Sequence, residues 1–300
     1  MANHQPAVEE AVVKKQSPAK KIFSLALKIA VTVLCFWYIS KKIDFLQAKQ
    51  AIAKTNWLWL TAAILLLALS KLFSAYRLNI YFRNIGLQLS EIKNIRLYWL
   101  GMFYNLFLPG SISGDAYKVI LLKRKYNSNY KKTSAAVLLD RFSGLLALGL
   151  ILSVYGIIVL RNPLIDLILI IGSLASIAVL YFAVKKNFIE FFAGFWPTFF
   201  LGLAVQLTQV VCVYCILLSL HLPLNQPEWL FIFLIAAVVA IFPVSLGGGL
   251  GTREFVFVEG AKFFHLDPQL GLVVSLLFYL STVISSLPGL YFVFHDPLKN

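Results

Sequence analysis

Five stretches of this chain, 142–160, 167–184, 191–220, 229–252 and 268–294, contain no Asp, Glu, Lys or Arg. A helix crosses the hydrocarbon layer in about 17–25 residues, so each of these runs can span or dip into a bilayer. Two more runs, 22–40 and 57–76, each tolerate one lysine, Lys28 and Lys71. Only 13% of the residues are charged, against about a quarter in a water-soluble domain. The pattern predicts an all-α integral membrane protein with residues 21–294 as one polytopic domain. Residues 1–20 read as an unstructured basic tail and 295–300 as a short tail. Neither the tail nor the polar 77–96 connection can bury a core of its own.

The net charge of +14 does not point to a nucleic-acid partner, because the basic residues gather between the apolar runs. That is the bias of cytoplasmic loops, with attraction to anionic head groups as a second consequence. Lys14, Lys15, Lys20 and Lys21 precede the first run, which lacks a small-residue cleavage signature and reads as a retained helix. A multi-pass protein of the cell (inner, cytoplasmic) membrane with its N-terminus on the cytoplasmic side is therefore expected. The chain emerges at "KKIDFLQAKQAIAKTN" and returns at Arg77, with Arg83, Lys93 and Arg96 marking a cytoplasmic connection. Cys212 and Cys215 lie on adjacent turns of one apolar run without further ligands, and read as packing residues.

Two segments break the pattern. From Leu97 to Leu108 the apolar character is too short to cross, and it is interrupted at Pro109-Gly110 and Ser113-Gly114-Asp115 before ending at Lys123, Arg124 and Lys125. Basic residues on both sides predict a re-entrant hairpin from the cytoplasm. The second break, "FPVSLGGGLGTREF" at 242–255, separates a short apolar half from Arg253–His265, entering from outside after the uncharged-basic loop "HLPLNQPE". The expected architecture is six full transmembrane helices plus two re-entrant helix hairpins in an inverted-repeat arrangement, with the C-terminus inside. Gly/Pro-interrupted segments in corresponding halves point to a transport site, because irregular backbone at membrane depth is tolerated where it is buried or lines a cavity.

Charges at membrane depth cost about 2.5–3.5 kcal/mol on insertion scales and are functional by default. Asp115 and Lys118 follow the first break at i, i+3 spacing, Asp140 and Arg141 open the next span, and Arg253, Glu254, Glu259 and Lys262 follow the second break. A helix starting near Thr252 would turn its free amides and positive dipole end toward the glycines, an anion-attracting arrangement, and Arg253 adds a fork suited to phosphate. The same charges could instead pair with one another, Asp115 with Lys118 or Asp140 with Arg253. Lys71 stands alone and reads as snorkelling to the surface. No metal-binding, hydrolase or nucleotide-binding motif is present, and no cofactor is expected.

The blocks "NLFLPGSISGDAYKVILLKRK", "AAVLLDRFSGLLAL" and "PVSLGGGLGTREFVFV", in this order, resemble the lysylphosphatidylglycerol synthetase transmembrane family of flippase-like proteins. That family includes the membrane half of the bacterial multiple peptide resistance factor and archaeal members linked to lipid-carried glycans. The resemblance implies a site at Asn105, Pro109, Gly110, Gly114 and Asp115, at Asp140 and Arg141, and at Pro243, Gly248, Gly249, Gly251, Arg253 and Glu254. Lys118 replaces the family's usual arginine, which keeps the charge but loses the bidentate fork. The chain ends shortly after its last span, so a stand-alone member without the cytoplasmic aminoacyl-transferase domain is expected.

The implied function is a transporter or flippase for an anionic or aminoacylated phospholipid, or for a polyprenyl-phosphate-linked glycan. Arg253, the 247–251 amides and Lys118 would hold phosphate. Two alternatives stay open: an integral-membrane transferase using Asp115 or Asp140 at the 105–118 hairpin, and an accessory subunit of a separately encoded transferase.

Overall fold

The computed structural model describes residues 53, 55–107, 112–241 and 251–299, and among them the chain is helical with no strand. Expectations for the 1–20 tail, the 22–40 span and residues Pro109, Gly110, Pro243, Gly248 and Gly249 lie outside the described residues. The helices, in chain order, are α1 (Trp57–Asn84), α2 (Glu91–Phe107), α3 (Ser113–Tyr126), α4 (Tyr130–Leu160) and α5 (Pro163–Asn187). After a 3₁₀ turn at Ile189–Gly194 come α6 (Phe195–Ser219), α7 (Glu228–Ile241), α8 (Thr252–Phe263), α9 (Pro268–Ser286) and α10 (Pro288–Phe294). Among the described residues, five helices are long and apolar enough to cross a membrane: α1, α4, α5, α6 with its preceding turn, and α9. These match the expected spans after 22–40.

Local sequence sets the helix starts. Asn56, Asn129, Asn162 and Asp267 each accept a hydrogen bond from an amide of the first turn, and Pro163 and Pro268 follow directly at a position where no donor is missed. Two boundaries differ from the expectation. The 77–96 stretch is mostly helical: α1 continues to Asn84 and α2 begins at Glu91, leaving a connection of only 85–90. Arg77 and Asn79 are buried against neighbouring helices, and Arg83 lies at the exposed end of α1, which at about 42 Å for its 28 residues is longer than the hydrocarbon core of about 30 Å. Arg83 pairs with Glu91 across the turn. The last span is interrupted at Leu287, where Pro288 starts the short α10.

The core is built around α1 packed along α6, its most extensive helix contact. Trp229, Phe233, Phe257 and Leu217 fill one end of this bundle, and Phe82, Leu97 and Leu122 fill the other. The opposite extreme is α5, in which Val184 is the single buried residue among those described. Its Ile168, Ile171 and Leu174 point outward, as expected of a helix facing lipid. Each of the two interrupted segments folds back on itself, α3 packing on α2 and α8 on α7.

Without a hydrophobic drive between helices in lipid, small residues that let backbones touch decide how closely they pack. Gly114 is such a residue, since a Cβ there would lie 1.9 Å from the carbonyl oxygen of Gly101 on α2. A backbone atom cannot rotate away. Gly114→Ala is therefore expected to destabilise the α2–α3 hairpin by about 1–3 kcal/mol, read as a lower thermal midpoint in detergent. Gly149→Ala, where a Cβ meets nothing within 4 Å, is expected to be neutral or slightly stabilising.

Candidate functional site

Three groups of polar side chains occupy the middle of this apolar bundle. The first is organised by Asp115, in the first turn of α3. Its Oδ1 accepts from Lys118 Nζ at 2.8 Å and from Asn105 Nδ2 at 3.4 Å, and its Oδ2 accepts from Arg141 Nε at 2.6 Å. Asn105 at the end of α2 turns its Oδ1 to the Gly114 amide at 2.8 Å, so one side chain closes the hairpin from both sides. Lys118 is 4% exposed, and its ammonium lies 4.5 Å from the centre of the Tyr98 ring. Gly101 is what admits it, because a Cβ there would collide with Lys118 Cε at 2.1 Å.

The second group is an ion pair between Arg77 of α1 and Asp140 of α4, Nε to Oδ1 at 2.7 Å, with both side chains buried. The guanidinium fits because Gly144 of α4 leaves room beside it, a Cβ there lying 3.1 Å from Nη1, while Gly202 lets α6 approach the Ser143 carbonyl of α4. Asp140 thus pairs with Arg77 and not with Arg253. Neighbours in sequence, Asp140 and Arg141 face different partners because successive helical residues point about 100° apart.

The third group lies at the start of α8. Gly251 takes φ +89°, a conformation suited to glycine, and its amide donates to Glu254 Oε2 at 2.5 Å. Glu254 Oε1 accepts from Ser275 Oγ at 3.2 Å. The carboxylate therefore caps its own helix. Arg253 is 8% exposed, its guanidinium carbon lies 4.7 Å from the centre of the Phe278 ring, and its Nε and Nη1 are buried without a hydrogen-bond partner among the described residues.

Arg253 opens onto a cavity of about 290 Å³ shared by α1, α2, α4, α6, α7 and α9. Lys71, Asn105, Arg141, Gln206 and Gln209 also line it, and no carboxylate does so among the described residues. The uncharged stretches 108–111 and 242–250 add none. Lys71 lies midway along α1 and has no ion-pair partner among the described residues, so it is a wall of the cavity and not a snorkelling surface residue.

Of the residues read from sequence, Asn105, Gly114, Asp115, Lys118 and Arg141 form one network, and Arg253 faces Asn105 and Arg141 across the cavity. Asp140 and Glu254 are committed elsewhere, and Glu259 and Lys262 pair with each other at 2.7 Å away from the site. Sequence reasoning missed Arg77, Lys71, Gln206 and Gln209. A signal for Arg77 existed: Ser70, Ser74 and Arg77 follow i, i+4, i+7 spacing along one face of α1, and all three are buried. The free thiols Cys212 and Cys215 are buried packing residues, as expected.

Removing one partner of a buried pair strands the other charge, at a cost of about 3–5 kcal/mol. Arg77→Met and Asp140→Leu are each expected to destabilise the protein by that order. The double variant is expected to cost clearly less than their sum, as read from unfolding midpoints in a double-mutant cycle.

The family model described as the lysylphosphatidylglycerol synthase TM region matches residues 25–289. A UPF0104 membrane protein of Pyrococcus horikoshii is 27% identical over 126 residues, which cover 41% of this chain and 36% of that protein. The matched part is thus about a third of that relative's length.

Proposed function

The chain belongs to the lysylphosphatidylglycerol synthase transmembrane family, and from that premise we propose that it carries a phosphate-bearing lipid head group through the cavity at the centre of its bundle. One observation carries the reading: Lys71, Arg141 and Arg253 converge on a cavity with no lining carboxylate among the described residues. Arg141 is already paired with Asp115, whereas Lys71 and Arg253 have no ion-pair partner among the described residues; such cations are costly at this depth, and a bound anion would offset that cost. Arg253 supplies a planar fork, with two donors unsatisfied among the described residues, beside the positive end of the α8 dipole. Asn105 and the two glutamines add neutral donors for the remaining oxygens of a head group.

In this reading the two folded-back segments are re-entrant hairpins that enter from opposite faces, with the N-terminus cytoplasmic. Asp115 and Arg253 each stand in the first turn of the helix that follows a break, α3 and α8. Closing one hairpin and opening the other would expose the cavity to each leaflet in turn, the alternating access expected of inverted repeats. Transfer chemistry is less well supported, because Asp115 and Asp140, the candidate bases, are each tied to cations.

The test is mass spectrometry of lipids that co-purify with the protein. Wild type is expected to enrich a phosphate-bearing lipid over the bulk membrane, and Arg253→Gln to lose that enrichment. Since Arg253 has no partner for its Nε and Nη1 among the described residues, its replacement is also expected to leave the lipid-free thermal midpoint unchanged or raised. Equal, unenriched lipid in both proteins would count against the reading.

A further inference from the structure

Counting charge around the cavity says more than that an anion belongs there. Five cations, Lys71, Arg77, Lys118, Arg141 and Arg253, are grouped here with three carboxylates, Asp115, Asp140 and Glu254. Asp140 cancels Arg77, and the single charge of Asp115 is shared between Lys118 and Arg141. Glu254 is held at 2.5 Å by the Gly251 amide and also by the Ser275 hydroxyl. Two positive charges remain in surplus among the described residues. Of the cavity walls, Lys71 and Arg253 are the cations with no ion-pair partner among those residues. They belong to different elements, α1 and α8, on different sides of the space.

In a low-dielectric interior a charge surplus has to be matched by the ligand, because an unmatched charge carries a desolvation penalty of several kcal/mol. Resting on the transport reading above, we infer that the head group bound here carries two negative charges or more: a phosphate monoester or a diphosphate, and not a phosphodiester with one charge. A phosphodiester that bears a lysyl group has a net positive charge and is the poorest match of all. Arg253 takes the phosphate held in common by every candidate, and Lys71 reads the additional charge. The lipid tail is outside this argument, so an isoprenoid diphosphate and a diacylglycerol phosphate are two sources of the same chemistry.

The experiment titrates the purified full chain in detergent with four lipids: geranylgeranyl diphosphate, phosphatidic acid, phosphatidylglycerol and lysylphosphatidylglycerol. Binding is followed by the rise in thermal midpoint. The dianionic lipids are expected to bind about tenfold more tightly than phosphatidylglycerol, the order of one additional charge pair. Lysylphosphatidylglycerol is expected to bind most weakly. Lys71→Met is expected to bring the dianionic lipids down to the level of phosphatidylglycerol and leave the latter within about twofold. Lys71→Arg is expected to keep the preference, and the wild-type ranking decides the matter even if Lys71→Met does not survive purification. A better response to geranylgeranyl diphosphate than to phosphatidic acid assigns an isoprenoid carrier, and the reverse assigns a diacylglycerol lipid. Equal or tighter binding of phosphatidylglycerol or its lysyl ester by wild type overturns the inference and leaves anion transport standing. No response to any of the four, with Arg253→Gln indistinguishable from wild type, overturns the transport reading itself.

Discussion

What each charge inside the bilayer is paired with decides the rest of this structure. An ion moved into a medium of low dielectric constant loses solvation that only a close counter-charge or a set of hydrogen bonds can return. Asp140 with Arg77, and Asp115 with Lys118 and Arg141, meet that condition inside the protein; Arg77–Asp140 joins α1 to α4, and Asp115–Arg141 joins α3 to α4. These bridges fix α4 against α1 and the α2–α3 hairpin against α4. Arg253 and Lys71 do not meet it among the described residues, and both face the same space. The division between charges that hold the bundle and charges that face the cavity follows from this accounting alone.

The glycines serve the same end. Gly114 brings two backbones into contact so that Asn105 can reach the Gly114 amide, and Gly101 admits the Lys118 stem beneath Asp115. Gly144 does the same for the Arg77 guanidinium. In each case a missing methyl group makes room for a charged or hydrogen-bonding group that hydrocarbon would otherwise exclude. Close packing and charge burial are therefore one design here, and a methyl added at Gly101 would disturb an ion pair as well as a helix contact.

Much of the architecture was legible in the sequence because hydrocarbon thickness converts directly into run length. The spans after 22–40 fall where the uncharged runs place them. The extension of α1 to Asn84 was not legible from hydropathy, since Arg77, Asn79 and Arg83 look like a loop by composition. Arg77 and Asn79 are buried against neighbouring helices, and packing overrode composition. Within the site, the Asp115–Lys118 pair followed from i, i+3 spacing, whereas the choice of Arg77 for Asp140 needed the third dimension. Lys71 was misread for the same reason: a lone lysine in an apolar run gives no sign of which way it faces. Family resemblance named Asn105, Arg141 and Arg253, yet it could not say that they line one cavity.

The central claim is that the Arg253 donors left unsatisfied among the described residues belong to a phosphate. The most direct measurement is a cryo-electron microscopy structure of the protein in nanodiscs prepared with its native lipids. The account predicts density for a phosphate group within hydrogen-bonding distance of Arg253 Nε and Nη1, on the side that faces Lys71, with a lipid tail leaving the cavity toward the bilayer. It is contradicted if a carboxylate or main-chain carbonyl of the chain itself occupies those donors and the cavity holds only acyl chains.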